Sequence, residues 1–150
     1  MRCAGGVGRW GRRTALRWLR NTHRWIYRFS RGRILGRLVG LPVLLLTTVG
    51  RKSGKARTTP LTYLPHGRAF VVVASNGGRP RHPVWFLNLL VTPRAEVMVG
   101  ARHLRVAGRE AADEERARLW AEIVRRWPGY TRYERRTTRR IPVVVLEPMP

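Results

Sequence analysis

Short runs of β-type residues cover most of the chain, and two segments with helical spacing interrupt them. Turn signals end the runs: Gly50 to Gly54, Pro65 to Gly67, and Gly100 with Ala101. Strands are predicted over residues 43–49, 57–64, 69–75, 95–99, 102–110 and 141–146. Helices are predicted over 82–90 and 113–127, the second with Asp113 as its N-cap.

The predicted order is β-β-β-α-β-β-α-β, with neighbouring strands joined by tight turns. Short turns favour antiparallel hairpins, and helices do not alternate regularly with strands, so a Rossmann sheet is a poor fit. Pro60 lies inside the second predicted strand, which indicates an edge position or a bulge there. The pattern predicts an α+β fold: a small, partly open and mostly antiparallel barrel with at least two helices.

Residues 1–40 form a basic N-terminal arm, and residues 41–150 form the predicted domain. In the arm, apolar residues at helical spacing predict an amphipathic helix over 12–29, ringed by arginines and containing tryptophans. A short second helix is predicted over 33–39. Such a helix is typical of an anionic membrane surface, and it is equally consistent with a stripe that packs on a core. Arginines interrupt every apolar run in the arm, so a secretory signal is a poor fit.

The charge is extreme and uneven. Lysine and arginine total 31 against 8 acidic residues, a net charge of +23, and residues 1–95 contain 19 of the basic residues and no acidic one. Such a chain attracts phosphates, nucleic acid or acidic lipid headgroups. Arginine-rich composition also arises in GC-rich genomes, which leaves the cause open. Only two basic residues are lysine, Lys52 and Lys55, and they share one predicted loop.

The sequence lacks the residues that several classes of chemistry require. Cys3 is the only cysteine, so neither an internal disulfide nor a thiolate metal site is expected, and a cytoplasmic location fits. The four histidines are scattered, no Ser-His-Asp signature is present, and no metal ligands cluster. The sequence has no recognisable nucleic-acid-binding motif, so no specific nucleic acid is expected as partner. A redox enzyme whose cofactor carries the chemistry needs few catalytic side chains, and it fits this chain best.

Three segments are candidates for one binding site. The loop at 50–57 combines two glycines with four cations and a hydroxyl, which predicts a phosphate nest of backbone N–H groups; a solvated basic hairpin is the alternative. Small residues at 74–78 would let a flat ring approach the backbone, although an ordinary turn has the same composition. The third segment, 82–88, contains Trp85 and Asn88, which are also plausible as a core residue and an internal hydrogen-bonding residue.

Four motifs, in order and with matching gaps over residues 38–148, resemble one known family. They read L-L-T-T-V-G-R-K-S-G-K-A-R-T-T-P-L, V-V-V-A-S-N-G-G, H-P-V-W-F-L-N-L and W-P-G-Y-T-R-Y-E-R-R-T-T-R-R-I-P-V-V-V-L-E-P. The chain is similar to the deazaflavin-dependent nitroreductases of mycobacteria and their relatives. The resemblance implies a split β-barrel, FMN-binding-like, that binds the 8-hydroxy-5-deazaflavin coenzyme F420. It also implies hydride transfer from the reduced coenzyme to quinones, nitroaromatics or other conjugated acceptors.

The resemblance assigns two sets of residues. The coenzyme-binding set is Arg51, Lys52, Ser53, Lys55, Arg57, Thr59, Pro60, Ala74, Ser75, Asn76, Trp85 and Asn88. The set facing the acceptor is Tyr63, Ser75, Tyr130 and Tyr133. The cations would hold the coenzyme's phosphate and polyglutamate tail, and a hydroxyl of Ser75 or Tyr133 would hydrogen-bond or protonate the acceptor. Relatives often have lysine where this chain has Asn76, so one tail or phosphate contact would be lost there unless Arg79 or Arg81 compensates.

Other functions remain open at this point. One is the same barrel with FMN in place of the deazaflavin, and another is a basic protein that binds nucleic acid or a membrane surface without catalysis. The expected location is the cytoplasm, with peripheral contact at the inner face of the plasma membrane through the arm. The residues do not determine the oligomeric state or the physiological acceptor.

Overall fold

The computed structural model describes residues 41–150, and the two helices predicted in the arm lie outside the described residues. Six strands form one antiparallel barrel in the order β1-β2-β3-β6-β5-β4, which closes where β4 pairs with β1. The strands are β1 Val43–Val49, β2 Ala56–His66, β3 Ala69–Val73, β4 Arg94–Val99, β5 Arg102–Glu110 and β6 Val143–Pro148. The helices are α1 Val84–Val91, α2 Asp113–Arg126 and α3 Tyr130–Arg135, with a 3₁₀ turn at Asn76–Gly78. The predicted split β-barrel is confirmed.

The barrel is split between β2 and β3. These strands pair only from Tyr63 with Val72 to His66 with Ala69, whereas β2 stays paired with β1 back to Ala56. On its other side β3 pairs with β6 from Phe70 to Val73, so Val73 keeps its β6 partner, Val143, where the pairing with β2 has ended. Residues 56–62 of β2 therefore have a ladder on one side only.

Pro60 lies on that one-sided stretch, opposite Leu45 of β1. The Tyr63 N–H donates to the Pro42 carbonyl on the β1 side at 3.1 Å. Because successive N–H groups point to opposite sides of a strand, the Pro60 nitrogen points away from β1, where no ladder needs a donor. The predicted edge position for Pro60 is confirmed.

The barrel interior holds one apolar cluster, called the interior cluster below. Leu44 and Leu46 of β1 face Val97 of β4, and Trp85 and Phe86 of α1 close one end. Its other members come from β3, β5, β6, α1 and the start of β4: Val72, Ala74, Leu89, Ala95, Val106, Val144 and Leu146. Alternate residues of β1 are buried, as a strand with one inward face requires.

A second apolar cluster, called the outer cluster, covers the outside of β3 and β6. Val71 and Val143 pack there against Leu119 and Ile123 of α2. Since β3 and β6 have buried residues on both faces, their sequences are continuous apolar runs with no alternation. This wall separates the barrel interior from α2 and α3.

One helix was not predicted, and one local prediction was wrong. The segment after Trp127 forms a third helix, α3, whose six residues include the cations Arg132 and Arg135 and give little helical signal. The N-cap of α2 is Ala112, with no side-chain cap, and Asp113 is the first helical residue with φ of 46°. Glu114 and Glu115 do lie in the first turn, where the helix dipole stabilises them.

Within residues 41–150, no helix is long and apolar enough to cross a membrane. The same residues contain no group of three or more histidine, cysteine or carboxylate side chains able to hold a metal ion.

Candidate functional site

The split between β2 and β3 creates an opening with two lips. Thr59 and Pro60 lie on the β2 lip, where β2 pairs with β1 but no longer with β3. Ala74 and Ser75 lie on the other lip, directly after β3 ends at Val73. The structure therefore brings two predicted ring-lining pairs, far apart in sequence, to the two sides of one opening.

Thr59 and Pro60 do not share a face of β2. Thr59 is opposite Leu46, a member of the interior cluster, and Pro60 is opposite Leu45 on the outer side of β1. Directly paired residues point to the same face of a sheet, and adjacent residues point to opposite faces. Only one of the two side chains can point into the barrel, and the role of both residues in lining the ring stays a prediction.

The loop at 50–55 is closed by its own hydrogen bonds. Gly50 N donates to the Lys55 carbonyl at 2.7 Å, and Gly54 N donates to the Gly50 carbonyl at 2.7 Å. Ser53 N bonds the Gly50 carbonyl at 3.2 Å, and the Ser53 hydroxyl accepts from Lys55 N at 3.3 Å. Gly54 has φ of 65°, which its lack of a side chain permits.

The nest prediction was therefore wrong. With Arg51 N bound to Asn88, only Lys52 among residues 50–55 has an N–H without an acceptor in the described part of the chain. What the loop offers an anion is its side chains. Arg51, Lys52, Lys55 and Arg57 are all exposed, and none pairs with a carboxylate of residues 41–150.

Asn88 anchors this cationic loop to the barrel. Its Oδ1 accepts from the Arg51 backbone N–H at 3.1 Å, and its Nδ2 donates to the Thr48 hydroxyl at 3.1 Å. Both Asn88 and Thr48 are 1% exposed. The side chain thus joins α1, β1 and the loop, which confirms the alternative that Asn88 is an internal hydrogen-bonding residue. That Asn88 also contacts the coenzyme stays a prediction.

Trp85 lies one turn before Asn88 on α1 and belongs to the interior cluster. It is 5% exposed, and its ring meets Phe86 edge to face with centroids 6.1 Å apart. It closes the barrel end as a core residue, and its predicted coenzyme contact stays a prediction.

Asn76 begins the 3₁₀ turn that follows Ser75. Its φ is 48°, and its Nδ2 donates to the Arg81 carbonyl at 2.9 Å. The side chain therefore closes the loop between β3 and α1. Arg79 and Arg81 are exposed in the same loop, as the proposed replacement for a lysine contact requires.

The turn packs tightly against α3. A Cβ on Gly78 would lie 2.8 Å from the Tyr133 carbonyl oxygen and 2.8 Å from the Arg136 Cβ, and Gly78 has φ of 77°. This close approach sets α3 beside the Ser75 lip. The structure therefore brings Tyr133 and Ser75 into neighbouring segments, as their shared predicted role requires.

The three predicted tyrosines do not form one group. Tyr63 packs on the interior cluster, where its ring meets Phe70 edge to face at 5.4 Å. Tyr130 and Tyr133 pack on the outer cluster, 5.7 Å apart and nearly perpendicular. Burial raises the pKa of Tyr130 to about 12, with Tyr133 as the smaller cause. Tyr130 therefore stays a neutral phenol at physiological pH.

Sequence reasoning missed Arg139, which lies between α3 and β6. Its Nη2 donates to the carbonyls of Ala74 at 3.2 Å and Ser75 at 2.8 Å, and its Nε donates to the Arg79 carbonyl at 3.0 Å. Its Nη1 is 3.2 Å from His82 Nδ1. Burial lowers the pKa of His82, and the Arg139 charge lowers it further. Among many arginines, nothing in the sequence distinguished this one.

The site thus consists of an opening beside an exposed cationic loop. The sequence profile of the F420H2-dependent quinone reductases matches residues 18–148, nearly the whole chain. The chain belongs to the F420H2-dependent quinone reductase family. An F420H2-dependent quinone reductase from Mycobacterium tuberculosis is 42% identical over 144 residues, which cover 93% of this chain and 97% of that one.

Two solved structures are similar to this chain. An F420H2-dependent reductase, FDR-A, is 39% identical with a TM-score of 0.65, covering 71% of this chain and 94% of its own. A structure described as a domain-swapped dimer is 36% identical with a TM-score of 0.66, covering 89% of this chain and 99% of its own.

The protein is therefore an F420H2-dependent oxidoreductase, and its cofactor is coenzyme F420. The resemblance to deazaflavin-dependent enzymes is confirmed. The described residues fit the coenzyme by their chemistry, because four exposed cations without carboxylate partners stand next to the opening between β2 and β3. Anionic groups would bind at the loop, and a flat ring would lie between the lips.

Proposed function

We propose that this enzyme reduces a quinone with a hydride from F420H2, at the opening between β2 and β3. The observation that supports it is the pairing of that opening with the cationic loop, in a chain of the quinone reductase family. Nitroaromatics and other conjugated compounds are secondary acceptors to be tested. FMN is the alternative ligand, and the family assignment disfavours it.

The cationic loop binds the anionic part of the coenzyme. Arg51 and Lys52 lie at its start and Lys55 and Arg57 at its end, all exposed and all free to turn towards phosphate and tail carboxylates. Charge-assisted hydrogen bonds of this kind are stronger than neutral ones. Asn88 holds the loop backbone still, so less entropy is lost when the tail binds.

The coenzyme, when bound, supplies the hydride. The chain's own residues hold the donor and the acceptor close together between the lips, where reacting atoms need to be about 3–3.5 Å apart. As the acceptor oxygen gains negative charge, the hydroxyl of Ser75 or Tyr133 donates a hydrogen bond to it or transfers a proton. Water then restores the proton to that hydroxyl.

The proposal is tested first by binding. Purified protein is titrated into oxidised F420, with FMN in parallel, and the fluorescence of each ligand is followed. We expect saturable binding of F420 and no saturable response from FMN. Saturable binding of FMN alone would support the FMN alternative, and binding of neither would refute the proposed site.

We also propose that the enzyme works in the cytoplasm and associates with anionic membrane surfaces. The support is compositional: residues 1–40 contain 11 basic residues and no acidic one, interleaved with tryptophans. The full chain should sediment with anionic vesicles and not with neutral ones. Replacing Arg17, Arg20 and Arg24 by Gln should weaken that sedimentation, and unchanged sedimentation would refute the role of the arm.

A further inference from the structure

Arg139 makes a set of contacts that is unusual among the many exposed arginines of residues 41–150. All three guanidinium nitrogens are engaged, and every acceptor lies within residues 74–82: the carbonyls of Ala74, Ser75 and Arg79, and the His82 ring. Within residues 41–150 it pairs with no carboxylate. The Arg139 side chain thus contacts the loop between β3 and α1 at four points along that loop.

These contacts lie at the opening itself. Ala74 and Ser75 follow the point where β3 leaves β2, so their carbonyls have no β2 ladder to join. Ala74 N is held by the Pro142 carbonyl at 2.9 Å, on the segment that carries Arg139. Ala74 is buried, and Arg139 supplies the donor that its carbonyl needs; the Ser75 carbonyl accepts from Arg139 in addition to Gly78 N at 2.9 Å. These contacts fix the backbone of Ser75, and they thereby fix the position from which its side-chain hydroxyl extends.

The contact with His82 fixes a tautomer. A guanidinium can only donate, so His82 Nδ1 accepts and the ring proton is on Nε2. The ring also packs on Phe86, with centroids 5.2 Å apart. The charged groups that act on His82 are Arg139, which lowers its pKa, and Glu110, which raises it less. The contact with Arg139 is intact only when the His82 ring is neutral. A protonated ring would direct a second N–H donor at Arg139.

We propose that Arg139 is a positioning residue that fixes the Ala74–Ser75 lip, through its four bonds to residues 74–82, so that Ser75 faces the hydride acceptor. This inference rests on the proposed function, since it assumes an acceptor at that lip. Arg139 does not touch the acceptor or the coenzyme in this account. Its effect passes through the backbone of the loop.

A lysine cannot replace this geometry. The guanidinium is planar and directs several N–H groups at fixed angles, whereas an ammonium has a single nitrogen on a flexible stem. Arg139→Lys keeps the charge and loses most of the four contacts. Arg140→Lys is the matched control, because Arg140 is the adjacent residue, is exposed, and has no side-chain hydrogen bond within residues 41–150.

The first test compares steady-state kinetics of the two variants with F420H2 and a soluble quinone. We expect Arg139→Lys to lower kcat at least about tenfold, because small misplacements of reacting groups are costly. Affinity for F420 should fall much less than kcat, since the cationic loop that binds the anionic part of the coenzyme is intact. Arg140→Lys should match the wild type in both. Equal kcat in the two variants would overturn the inference.

The second test is independent of turnover. Gly78 N and Arg79 N bond within the loop, to Ser75 and Asn76 carbonyls at 2.9 and 3.3 Å. Without coenzyme, we expect hydrogen–deuterium exchange of these amides to be faster in Arg139→Lys than in Arg140→Lys. Faster exchange with normal kcat would show a structural role only and overturn the proposal, as would unchanged exchange. Wild-type protein without quinone reductase activity would instead refute the proposed function.

A third variant covers the case in which Arg139→Lys does not fold. His82→Asn keeps an acceptor near the Nδ1 position and cannot be protonated. In the wild type, kcat should fall as the pH drops through the lowered pKa of His82, because a protonated ring repels Arg139. In His82→Asn, that acid limb should disappear. An identical acid limb in both proteins would contradict the proposed link.

Discussion

We propose that single residues at the site divide into those that meet the ligands and those that hold the site in place. The cations at 51–57 and the hydroxyls of Ser75 and Tyr133 would belong to the first group, and the contacts of Asn88 and Arg139 place these two in the second. Candidates for the first group could be named from the sequence, because exposed cations and hydroxyls in a short motif carry chemistry. Of the second group, only an internal hydrogen bond of Asn88 was considered, because a holding role depends on contacts between residues 37 to 65 positions apart.

Replacing Tyr133 by phenylalanine tests the acceptor side. If its hydroxyl donates to the acceptor, kcat should fall about a hundredfold, the usual share of a general acid. Affinity for F420 should not change, because the cationic loop is distant in sequence and intact. The comparison is Tyr130→Phe, whose hydroxyl is largely buried and should matter less. Unchanged kcat in Tyr133→Phe would remove this residue from the mechanism.

Thr48→Val tests how the cationic loop is held. The change keeps the side-chain shape and removes the hydroxyl that accepts from Asn88, leaving a buried amide unpaired. We expect the free energy of unfolding to fall by about 1–3 kcal/mol, measured by urea denaturation. Affinity for F420 should also fall, because Asn88 orients Arg51.

The matched control for Thr48→Val is Thr47→Val. Thr47 lies on the other face of β1, where its hydroxyl bonds Thr58 at 2.8 Å in an exposed position. Loss of the Thr47 hydroxyl should lower the free energy of unfolding by less than about 0.5 kcal/mol and leave coenzyme affinity unchanged. Equal effects of the two changes would show that the buried contact does not hold the loop.

At the scale of elements, strands were predictable where one face or both faces are apolar. The runs of β3 and β6 are continuous because both faces are buried, and β1 alternates because one face is. Helix α3 was missed, since it is stabilised by packing of Tyr130 and Tyr133 rather than by its own pattern. In the sequence, only Pro60 indicated the split between β2 and β3, because strand pairing joins residues that are far apart in the chain.

The packing of the 3₁₀ turn on α3 is tested by two glycine substitutions. Gly77 and Gly78 both have positive φ, 66° and 77°, but only Gly78 lacks space for a Cβ. Gly77→Ala should cost about 1 kcal/mol, from backbone strain alone. Gly78→Ala should cost about 3 kcal/mol or more and lower kcat, because the clash moves α3 away from the Ser75 lip. Equal unfolding free energies for the two variants would contradict this packing.

For the whole molecule, charge is the dominant property. The full chain has a net charge of +23, and its acids lie in the last 55 residues, where the only ion pairs of the described range involve Arg109 and Arg126. Composition predicted an anionic ligand and could not say which one. Family membership identified it as F420, and we propose the exposed cationic loop as the place where its anionic groups bind.

Replacing Lys52 and Lys55 together by alanine tests that electrostatic role. We expect affinity for F420 to fall about tenfold, as two exposed charge contacts would give, and to fall further for longer polyglutamate tails. Raising salt from about 0.1 M to about 1 M shortens the Debye length from about 10 Å to about 3 Å and should weaken wild-type binding more than variant binding. Arg118→Ala with Arg125→Ala, exposed on α2, is the control and should bind normally. A loss of affinity that is the same for short and long polyglutamate tails would contradict the role.

The most direct test of the central claim is a turnover assay. Wild-type protein is mixed with F420H2 and a soluble quinone without oxygen, and the return of oxidised F420 is followed by its absorbance. We predict stoichiometric oxidation of F420H2 with formation of the hydroquinone, faster with enzyme than without. F420H2 that stays reduced beside saturating quinone and folded protein would contradict the account.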